Sequence, residues 1–461
     1  MKRLEDIKSV YFVGIGGIGM SALARYFMVK GKQVAGYDRT PTELTHALEA
    51  EGAEIHYEEA VERIPDGCRC PNQTLVIYTP AIPATHAELC YFQEQGFDIM
   101  KRAQVLGVIT RSSKGLCVAG THGKTTTSTM AAHLLHQSHV GCNAFLGGVS
   151  QNYHTNLLLS SKSPYTVIEA DEFDRSFHWL TPWMSVITAT DPDHLDIYGT
   201  VEAYLESFRH YTTLIQPGGA LIVHEDLALT PNVAEGVTVY TYAREKGDFH
   251  AERIRIGGGE IRFDFVAPDT RINDVQLGVP LSINIDNGIA AMALAHLSGA
   301  SDEELRQGMA SFRGVERRFD FKLKSDRAVL LSDYAHHPAE IAQCIRSLKE
   351  LYEGRKLTVI FQPHLYTRTR DFYREFAESL SLADQVILTE LYPAREQPIP
   401  GVTSALIYDH LNPAVERQLT TKTELLDLLK KDEKLDVVVV LGAGDLNDYV
   451  SEIEELLRQR I

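Results

Sequence analysis

Short apolar runs rich in valine and isoleucine alternate along this chain with longer stretches in which apolar residues recur every three or four positions. Runs of the first kind are typical of parallel strands buried on both faces, and the second spacing is typical of amphipathic helices. The apolar runs predict strands at residues 10–13, 75–78, 116–119, 166–169, 185–189, 357–361, 385–389 and 436–441. Strands that alternate with helices in this way predict an α/β fold with doubly wound sheets.

The pattern changes between residues 237 and 285, where three stretches alternate apolar and polar positions. Residues 239–242, 249–256 and 260–266 are predicted as antiparallel strands, with a turn at the three glycines 257–259. We interpret this segment as a β extension of a central domain.

Composition and charge exclude several classes of function. The 461 residues carry 45 lysines and arginines against 62 aspartates and glutamates, a formal net charge of −17. Nucleic acids and anionic membranes bind basic surfaces, so neither is an expected partner. We find no apolar run of the ~20 residues that a membrane helix needs and no secretion signal, and we expect a cytoplasmic protein with its six cysteines reduced.

A first glycine loop follows the first predicted strand and precedes a helix predicted at residues 20–29. Its pattern is G-x-G-x-x-G, in which glycines permit a tight turn and let backbone amides approach a phosphate. Asp38 follows the second strand, where an acid commonly meets a ribose hydroxyl. The motif fits a dinucleotide and a UDP-sugar equally well. The binding residues that it predicts are Gly14, Gly16, Gly17, Ile18, Gly19 and Asp38.

A second glycine loop lies between the strand at 116–119 and a helix predicted at residues 128–136. Val118 stands where the full Walker pattern has its first glycine, but the shorter G-x-x-G-K-T loop keeps the amides that hold phosphates. We predict ATP binding by Gly120, Thr121, His122, Gly123, Lys124, Thr125 and Thr126.

Acidic residues follow the next two strands at the edge where α/β sheets hold their ligands. Mg²⁺ on ATP takes carboxylate and hydroxyl ligands, so Thr125 and Glu169 are predicted to hold one ion, and His194 is predicted to serve a second. The roles of the neighbouring acids stay open; these are Asp171, Glu172, Asp191 and Asp193.

Two phosphate loops in two domains narrow the activity. A nicotinamide dehydrogenase explains only the first loop, and a simple ATPase explains only the second. A ligase that uses ATP to activate a phosphorylated substrate explains both. A non-catalytic nucleotide-binding regulator is the alternative from another class, but the set of Lys124, Thr125, Glu169 and His194 argues against lost activity.

The G-T-H-G-K-T-T-T loop, and its spacing to Glu169 and to the D-P-D-H-L-D segment at 191–196, resemble those of the Mur ligases. Folylpolyglutamate synthases are more distant relatives. The resemblance runs through nearly the whole chain. It implies an ATP- and Mg²⁺-dependent ligase that joins a carboxylate to an amine in peptidoglycan precursor synthesis.

The resemblance also implies three domains. Residues 1–107 would form a Rossmann-like N-terminal domain that binds a UDP-sugar rather than a nicotinamide. Residues 108–320 would form a P-loop-type central ATPase domain with the β extension. Residues 321–461 would form a Rossmann-like C-terminal domain that binds the amino acid and closes over the site.

Further site residues follow from the resemblance alone. Asn287 would meet the adenine nucleotide, and Arg318 would contact phosphate. Asp333 or a nearby histidine is a candidate base for the amine. Residues placed near the substrates are Tyr334, His336, His364 and Arg368.

The chain departs from the family pattern at three places. Leu365 replaces a usual arginine, and Phe173 replaces a usual serine in the acidic segment. A carbamylated lysine is not expected, because Arg209 lies in that region.

The GIGGIGMS segment at 14–21 favours the family member that joins L-alanine to UDP-N-acetylmuramate. A sibling that attaches a recovered murein tripeptide to UDP-N-acetylmuramate shares the catalytic elements and is the alternative. The sequence leaves a monomer and a homodimer both open.

Overall fold

The computed structural model describes residues 4, 6–192, 195–316, 318–394, 396–432 and 434–461. The chain divides into two compact units. The first comprises Met1–Glu252, Asp264–Val275 and Ile285–Arg313, and the second comprises Arg253–Phe263, Gln276–Asn284 and Gly314–Ile461. The division into three domains at residues 107 and 320 stays a prediction.

The first unit begins with a parallel five-stranded sheet in the order β3-β2-β1-β4-β5. The central strand is buried at every position, as its apolar sequence predicts. The strands are β1 (Ser9–Val13), β2 (Gln33–Tyr37), β3 (Glu54–His56), β4 (Thr74–Tyr78) and β5 (Asp98–Lys101). The helices are α1 (Ile18–Val29), α2 (Glu43–Ala50), α3 (Ala87–Glu94) and α4 (Arg102–Arg111), with 3₁₀ turns at Val61–Arg63 and Asp66–Cys68.

The same unit contains a seven-stranded sheet in the order β12-β11-β10-β6-β9-β7-β8, parallel except for its last pair. Its strands are β6 (Lys114–Ala119), β7 (Asn143–Ser150), β8 (Thr155–Leu158), β9 (Tyr165–Glu169), β10 (Pro182–Ile187), β11 (Ala220–His224) and β12 (Thr238–Tyr242). The helices are α5 (Lys124–His136), α6 (Leu195–Tyr198), α7 (Val201–Thr212), α8 (Ile283–Leu297) and α9 (Asp302–Ser311), with a 3₁₀ segment at Phe173–Trp179.

The predicted β extension is partly wrong. Residues 239–242 belong to β12, which pairs in parallel with β11 rather than in an antiparallel sheet. The connection 225–237 is long enough for the crossover that parallel pairing requires. A separate sheet has the order β13-β14-β15, with β13 (His250–Gly257), β14 (Glu260–Val266) and β15 (Arg271–Gln276). The sequence did not predict β15, because asparagine and aspartate are uncommon in strands and this segment has them at Asn273 and Asp274. In the structure, Asp274 has a φ of 56°.

The second unit contains a six-stranded sheet in the order β16-β17-β21-β18-β19-β20. All pairs are parallel except β16 with β17. The strands are β16 (Asp320–Lys324), β17 (Val329–Asp333), β18 (Leu357–Phe361), β19 (Gln385–Leu388), β20 (Glu416–Leu419) and β21 (Val437–Leu441). The helices are α10 (Pro338–Leu351), α11 (Tyr366–Leu380), α12 (Ser404–Tyr408), α13 (Lys422–Lys431) and α14 (Val450–Arg458), with a 3₁₀ turn at Asp445–Tyr449.

The predicted α/β class is therefore confirmed, and all eight predicted apolar runs fall on strands of the three large sheets. Across the described ranges, the structure has no helix with both the length and the apolar character that a bilayer span requires.

Candidate active site

The first glycine loop connects β1 to α1, as its motif predicts. The helix begins at Ile18, earlier than predicted, with Gly17 as its N-cap. Gly14 has a φ of 91°, and its amide donates to the carbonyl of Tyr37 over 2.8 Å. Ile18 and Gly19 therefore lie in the first turn of α1, where free amides make the helix end attractive to anions.

Asp38 lies against this loop and fixes its shape. The amide of Gly16 donates to Asp38 Oδ2 over 2.7 Å, and the amide of Thr40 donates to Oδ1 over 3.3 Å. The carboxylate predicted to meet a ribose thus holds the glycine turn in this structure.

A cavity of about 390 Å³ opens beside the loop, within the first unit. Gly17, Ile18 and Gly19 line it, and its far wall includes Gly147 of β7 and Glu169 of β9. Three of the predicted residues are not among its described lining residues: Gly14, Gly16 and Asp38. The cavity joins the first glycine loop to the carboxyl edge of the second sheet.

The second glycine loop leads from β6 into α5. The helix begins at Lys124 rather than at residue 128, because Gly123 takes a left-handed conformation, with a φ of 78°, as its N-cap. Thr125 and Thr126 therefore lie in the first turn of the helix, at its positive end. A β-carbon at Gly120 would lie 2.2 Å from Thr188 Oγ1, so only glycine fits there.

Hydroxyl groups hold this loop against the ends of neighbouring elements. The Thr121 hydroxyl lies 2.7 Å from the hydroxyl of Tyr204 and donates to the carbonyl of Asp191 over 2.7 Å. The Thr188 hydroxyl donates to the carbonyl of His122. These hydrogen bonds thus fix the position of the loop.

Lys124 forms an ion pair that the sequence did not predict. Its ammonium nitrogen lies 2.7 Å from Glu172 Oε2 and donates to the carbonyl of Gly120 over 2.7 Å. Burial raises the pKa of Glu172 above its ordinary value, and the charge of Lys124 opposes that rise. The acidic segment after β9 thereby balances the charge of the lysine.

Glu169 ends β9 beside the second loop, since the strand register places it opposite Val118 of β6. A β-carbon at Gly147 would lie 2.0 Å from Glu169 Oε2, so the carboxylate packs against the backbone of β7. Thr125 is buried at 5% exposure. His194, the third predicted metal ligand, and Asp193 lie outside the described residues.

Asn287 of α8 reaches the second loop. Its Oδ1 accepts a hydrogen bond from the Thr127 hydroxyl over 3.2 Å, and a β-carbon at Gly123 would lie 2.6 Å from the same oxygen. The structure therefore brings this predicted nucleotide-binding residue to the start of α5.

In the second unit, Asp333 ends β17 with both carboxylate oxygens engaged. The amides of Ala335 and Phe319 each donate to it over 2.7 Å. Burial raises the pKa of Asp333 to about 6, although these amides and the charge of Arg318 oppose the rise.

The four predicted substrate residues share this end of the second unit's sheet. The rings of Tyr334 and His336 lie 5.1 Å apart, and those of His336 and His364 lie 6.2 Å apart. Within the described part of the chain, the buried atoms His364 Nδ1 and Arg368 Nη1 have no hydrogen-bond partner. Burial lowers the pKa of His364 to about 4, and the charge of Arg368 contributes to that fall. Tyr392, which stacks on His364 at 5.8 Å, was not predicted.

Sequence reasoning also missed two cations of the cavity. Lys101 ends β5 and Arg102 follows it; both line the cavity, and they pair with Asp174 and Asp171 respectively. Their position at the end of a parallel strand was the signal that could have identified them.

Three family models match successive parts of the chain: "Mur ligase family, catalytic domain" at residues 9–114, "Mur ligase middle domain" at 118–295 and "Mur ligase, glutamate ligase domain" at 317–444. Together they match most of the sequence.

Individual proteins are similar over nearly the full length. A UDP-N-acetylmuramate--L-alanine ligase of Phocaeicola vulgatus is 68% identical, covering 99% of this chain and 100% of the relative. One of Parabacteroides distasonis is 59% identical over 99% of each chain. The crystal structure of a UDP-N-acetylmuramate-alanine ligase from Thermotoga maritima has a TM-score of 0.82 at 28% identity, covering 98% of this chain and 100% of that one.

Proposed function

Because this chain belongs to the Mur ligase family, we propose that it joins L-alanine to the lactyl carboxylate of UDP-N-acetylmuramate and converts ATP to ADP and phosphate in the same reaction. The observation that carries this proposal is a single cavity that connects one phosphate-binding glycine loop to the acidic edge beside a second. Relatives of 68% and 59% identity bear the alanine ligase name, which favours this reaction over attachment of a recovered tripeptide.

We assign ATP to the second glycine loop. Lys124 would neutralise the transferring phosphoryl group in place of its present contact with Glu172. Asn287 lies at the start of α5 beside Gly123, in a position to orient the nucleotide. Arg318 is proposed as a further phosphate contact. The other loop residues assigned to ATP are Gly120, Thr121, His122, Gly123, Thr125 and Thr126.

We assign the UDP-sugar to the cavity beside the first glycine loop. Gly17, Ile18 and Gly19 line the cavity at the start of α1, where backbone amides favour a diphosphate. Asp38 and Gly16 would support the turn. The opposite wall carries Glu169, so a sugar carboxylate at that end would lie near the second loop.

Thr125 and Glu169 fit Mg²⁺, because both offer oxygen atoms: Thr125 lies in the first turn of α5, which follows β6, and Glu169 ends the adjacent strand β9. His194 is proposed as a ligand of a second ion. Mg²⁺ bound there would offset negative charge on the ATP phosphates.

The reaction proceeds in two steps. The lactyl carboxylate attacks the γ-phosphorus of ATP, and the bond from that phosphorus to the β-phosphate oxygen breaks to release ADP. The amine of L-alanine then attacks the carbonyl carbon of the acyl phosphate, the carbon–oxygen bond breaks, and inorganic phosphate leaves. The amine loses one proton to a base, for which Asp333 or a nearby histidine is the candidate.

The carboxylate of L-alanine is proposed to bind at the end of the second unit's sheet, where Tyr334, His336, His364 and Arg368 lie. Arg368 Nη1 and His364 Nδ1 are buried donors or acceptors without partners among the described residues, and such groups require one. Tyr334 and His336 border them. A cytoplasmic location is proposed because ATP is available there.

Phosphate release from ATP and Mg²⁺ with UDP-N-acetylmuramate tests the function, with L-alanine in one reaction and the murein tripeptide in another. We expect release with L-alanine. Release with the tripeptide only would identify the recycling reaction, and release with neither would support a regulator.

A further inference from the structure

The two cations of the cavity project from the start of α4. Lys101 ends β5, and Arg102 is the first residue of the helix. The guanidinium of Arg102 lies across the first turn of α1, since a β-carbon at Gly19 would be 2.3 Å from Arg102 Nη1 and 3.0 Å from its Cδ. A glycine at position 19 therefore leaves the space that the Arg102 side chain occupies against the glycine loop.

Both cations are held by acids of one segment. Arg102 Nη2 lies 3.3 Å from Asp171 Oδ2, and Lys101 Nζ lies 2.6 Å from Asp174 Oδ2. The four side chains keep between 25% and 36% of their surface exposed. Lys101, Arg102 and Asp171, which line the cavity, are thus accessible to a ligand that enters it.

The segment that supplies these acids has an unusual backbone. Asp174 and Arg175 are consecutive non-glycine residues with φ values of 52° and 53°. This conformation is unfavourable for L-residues, and it persists only where other contacts enforce it. Asp171 Oδ1 accepts from the amide of Phe173 over 3.1 Å, which leaves Oδ2 directed to Arg102.

A diphosphate needs more than the amides of the glycine loop. The chain has a net charge of −17, and Glu169 and Asp171 add negative charge to the cavity lining. An arginine matches phosphate oxygens with paired N–H donors, which a lysine does not. Arg102 is the arginine of the described lining, and it lies on the glycine that opens α1.

We propose that Arg102 binds the diphosphate of the nucleotide sugar, and that Asp171 is its counter-ion in the empty enzyme and is displaced when the diphosphate enters. This inference rests on the proposed assignment of the UDP-sugar to the cavity. Asp171 competes with the ligand for the same guanidinium. Removing the arginine therefore weakens binding, whereas removing the negative charge of Asp171 strengthens it.

Calorimetric titration of the full-length protein with UDP tests the proposal. The variants are Arg102→Gln, Arg102→Lys and Asp171→Asn, and the control is Arg63→Gln, which removes an exposed arginine paired with Glu58. Asparagine at 171 keeps the oxygen that accepts from Phe173.

We expect the Kd for UDP to rise about tenfold or more in Arg102→Gln and less in Arg102→Lys, because hydrogen bonds between charged groups are strong. It should fall about threefold in Asp171→Asn and stay unchanged in Arg63→Gln. A non-hydrolysable ATP analogue with Mg²⁺ should bind Arg102→Gln as it binds the wild type, which excludes general misfolding. If Arg102→Gln does not fold, the other two variants still test the proposal, because the Kd for UDP should rise in Arg102→Lys and fall in Asp171→Asn.

UDP affinity that is unchanged in Arg102→Gln, or that moves in one direction in both the arginine and the aspartate variants, would overturn the proposal. Binding requires no turnover, so the result is separate from the ligase assay. If UDP binding follows the expected pattern but L-alanine releases no phosphate, the proposed reaction fails and the role of Arg102 stands.

Discussion

The ammonium nitrogen of Lys124 lies 2.7 Å from a carboxylate oxygen of Glu172, with side-chain exposures of 13% and 2%. A buried carboxylate is stable only with a partner, and the lysine of the glycine loop is that partner here. If a nucleotide phosphate replaces Glu172 as the partner of Lys124, the Glu172 carboxylate must therefore find another partner. The pair links nucleotide binding to the position of the segment after β9.

Lys124→Met should abolish the reaction and weaken the fold. Phosphate release should fall about 100-fold or more, because the cation that stabilises the phosphoryl transition state is lost. Leaving Glu172 buried without its cation should cost about 3–5 kcal/mol of stability. Steady-state phosphate release and thermal unfolding measure the two effects.

The double variant Lys124→Met with Glu172→Gln is the matched control for that experiment. It removes the unpaired charge, so the unfolding temperature should recover toward the wild-type value while activity stays lost. Recovery of activity in the double variant would contradict the phosphate role of Lys124.

Gly123→Ala should impair ATP binding for a steric reason as well as a conformational one. Its φ of 78° costs alanine about 1–2 kcal/mol. The new β-carbon would also lie 2.6 Å from Asn287 Oδ1, which must move. We expect a rise in the KM for ATP together with a lower unfolding temperature.

Gly31→Ala separates the two effects. Gly31 has a φ of 72°, but a β-carbon there would meet no atom within 4 Å. It should lower the unfolding temperature by the conformational cost alone and leave the KM for ATP unchanged. Equal effects of the two substitutions would show that the contact with Asn287 is unimportant.

The sequence predicted the parts of the site that local patterns determine. Strand, glycine loop and helix follow one another at Gly14–Gly19 and at Gly120–Lys124 because glycine adopts the positive φ found at Gly14, Gly120 and Gly123 without steric cost. The helix starts were misplaced, since a left-handed N-cap at Gly123 begins α5 earlier than the apolar spacing indicates.

The sequence could not predict contacts between distant segments. Arg102 and Asp171 meet because α4 packs against the segment that follows β9, and no local sequence pattern predicts that contact. Residues 239–242 were assigned the wrong pairing because alternation identifies a strand without naming its neighbour. Asn287 was identified by family resemblance, because an asparagine in an apolar helix carries no sequence signal of its own.

Arg368→Gln should weaken the binding of L-alanine. The amino-acid carboxylate would lose its charged hydrogen bond from the guanidinium, and we expect the KM for L-alanine to rise about tenfold or more. The KM values for ATP and the UDP-sugar should stay within twofold. Arg370→Gln is the control, because Arg370 is an exposed arginine of the same helix paired with Asp371. A rise in all three KM values would instead indicate a structural defect.

A buried acid at the start of α3 gives the fold a pH dependence that is separate from catalysis. Glu88 is fully buried, accepts a hydrogen bond from the Tyr11 hydroxyl over 2.7 Å and accepts another from the amide of Ala60 over 3.2 Å. The Tyr11 hydroxyl also lies 2.7 Å from His56 Nε2. Burial raises the pKa of Glu88 to about 7, although its hydrogen bonds oppose the rise.

Glu88→Gln should remove part of the decline in stability between pH 4.5 and pH 7. The folded protein holds the Glu88 proton up to about pH 7, whereas the unfolded chain releases it near its ordinary value of 4.5. Stability from this group is therefore complete below pH 4.5 and is lost as the pH rises to 7, by about 2 kcal/mol after allowance for screening. Glutamine needs no proton and can keep both contacts, so the stability of the variant relative to the wild type should increase as the pH rises.

Thermal unfolding from pH 5 to pH 8 measures this increase. The control is Glu94→Gln, which changes an exposed glutamate of the same helix. Parallel pH profiles for wild type and Glu88→Gln would mean that Glu88 is ionised in the folded protein throughout this range.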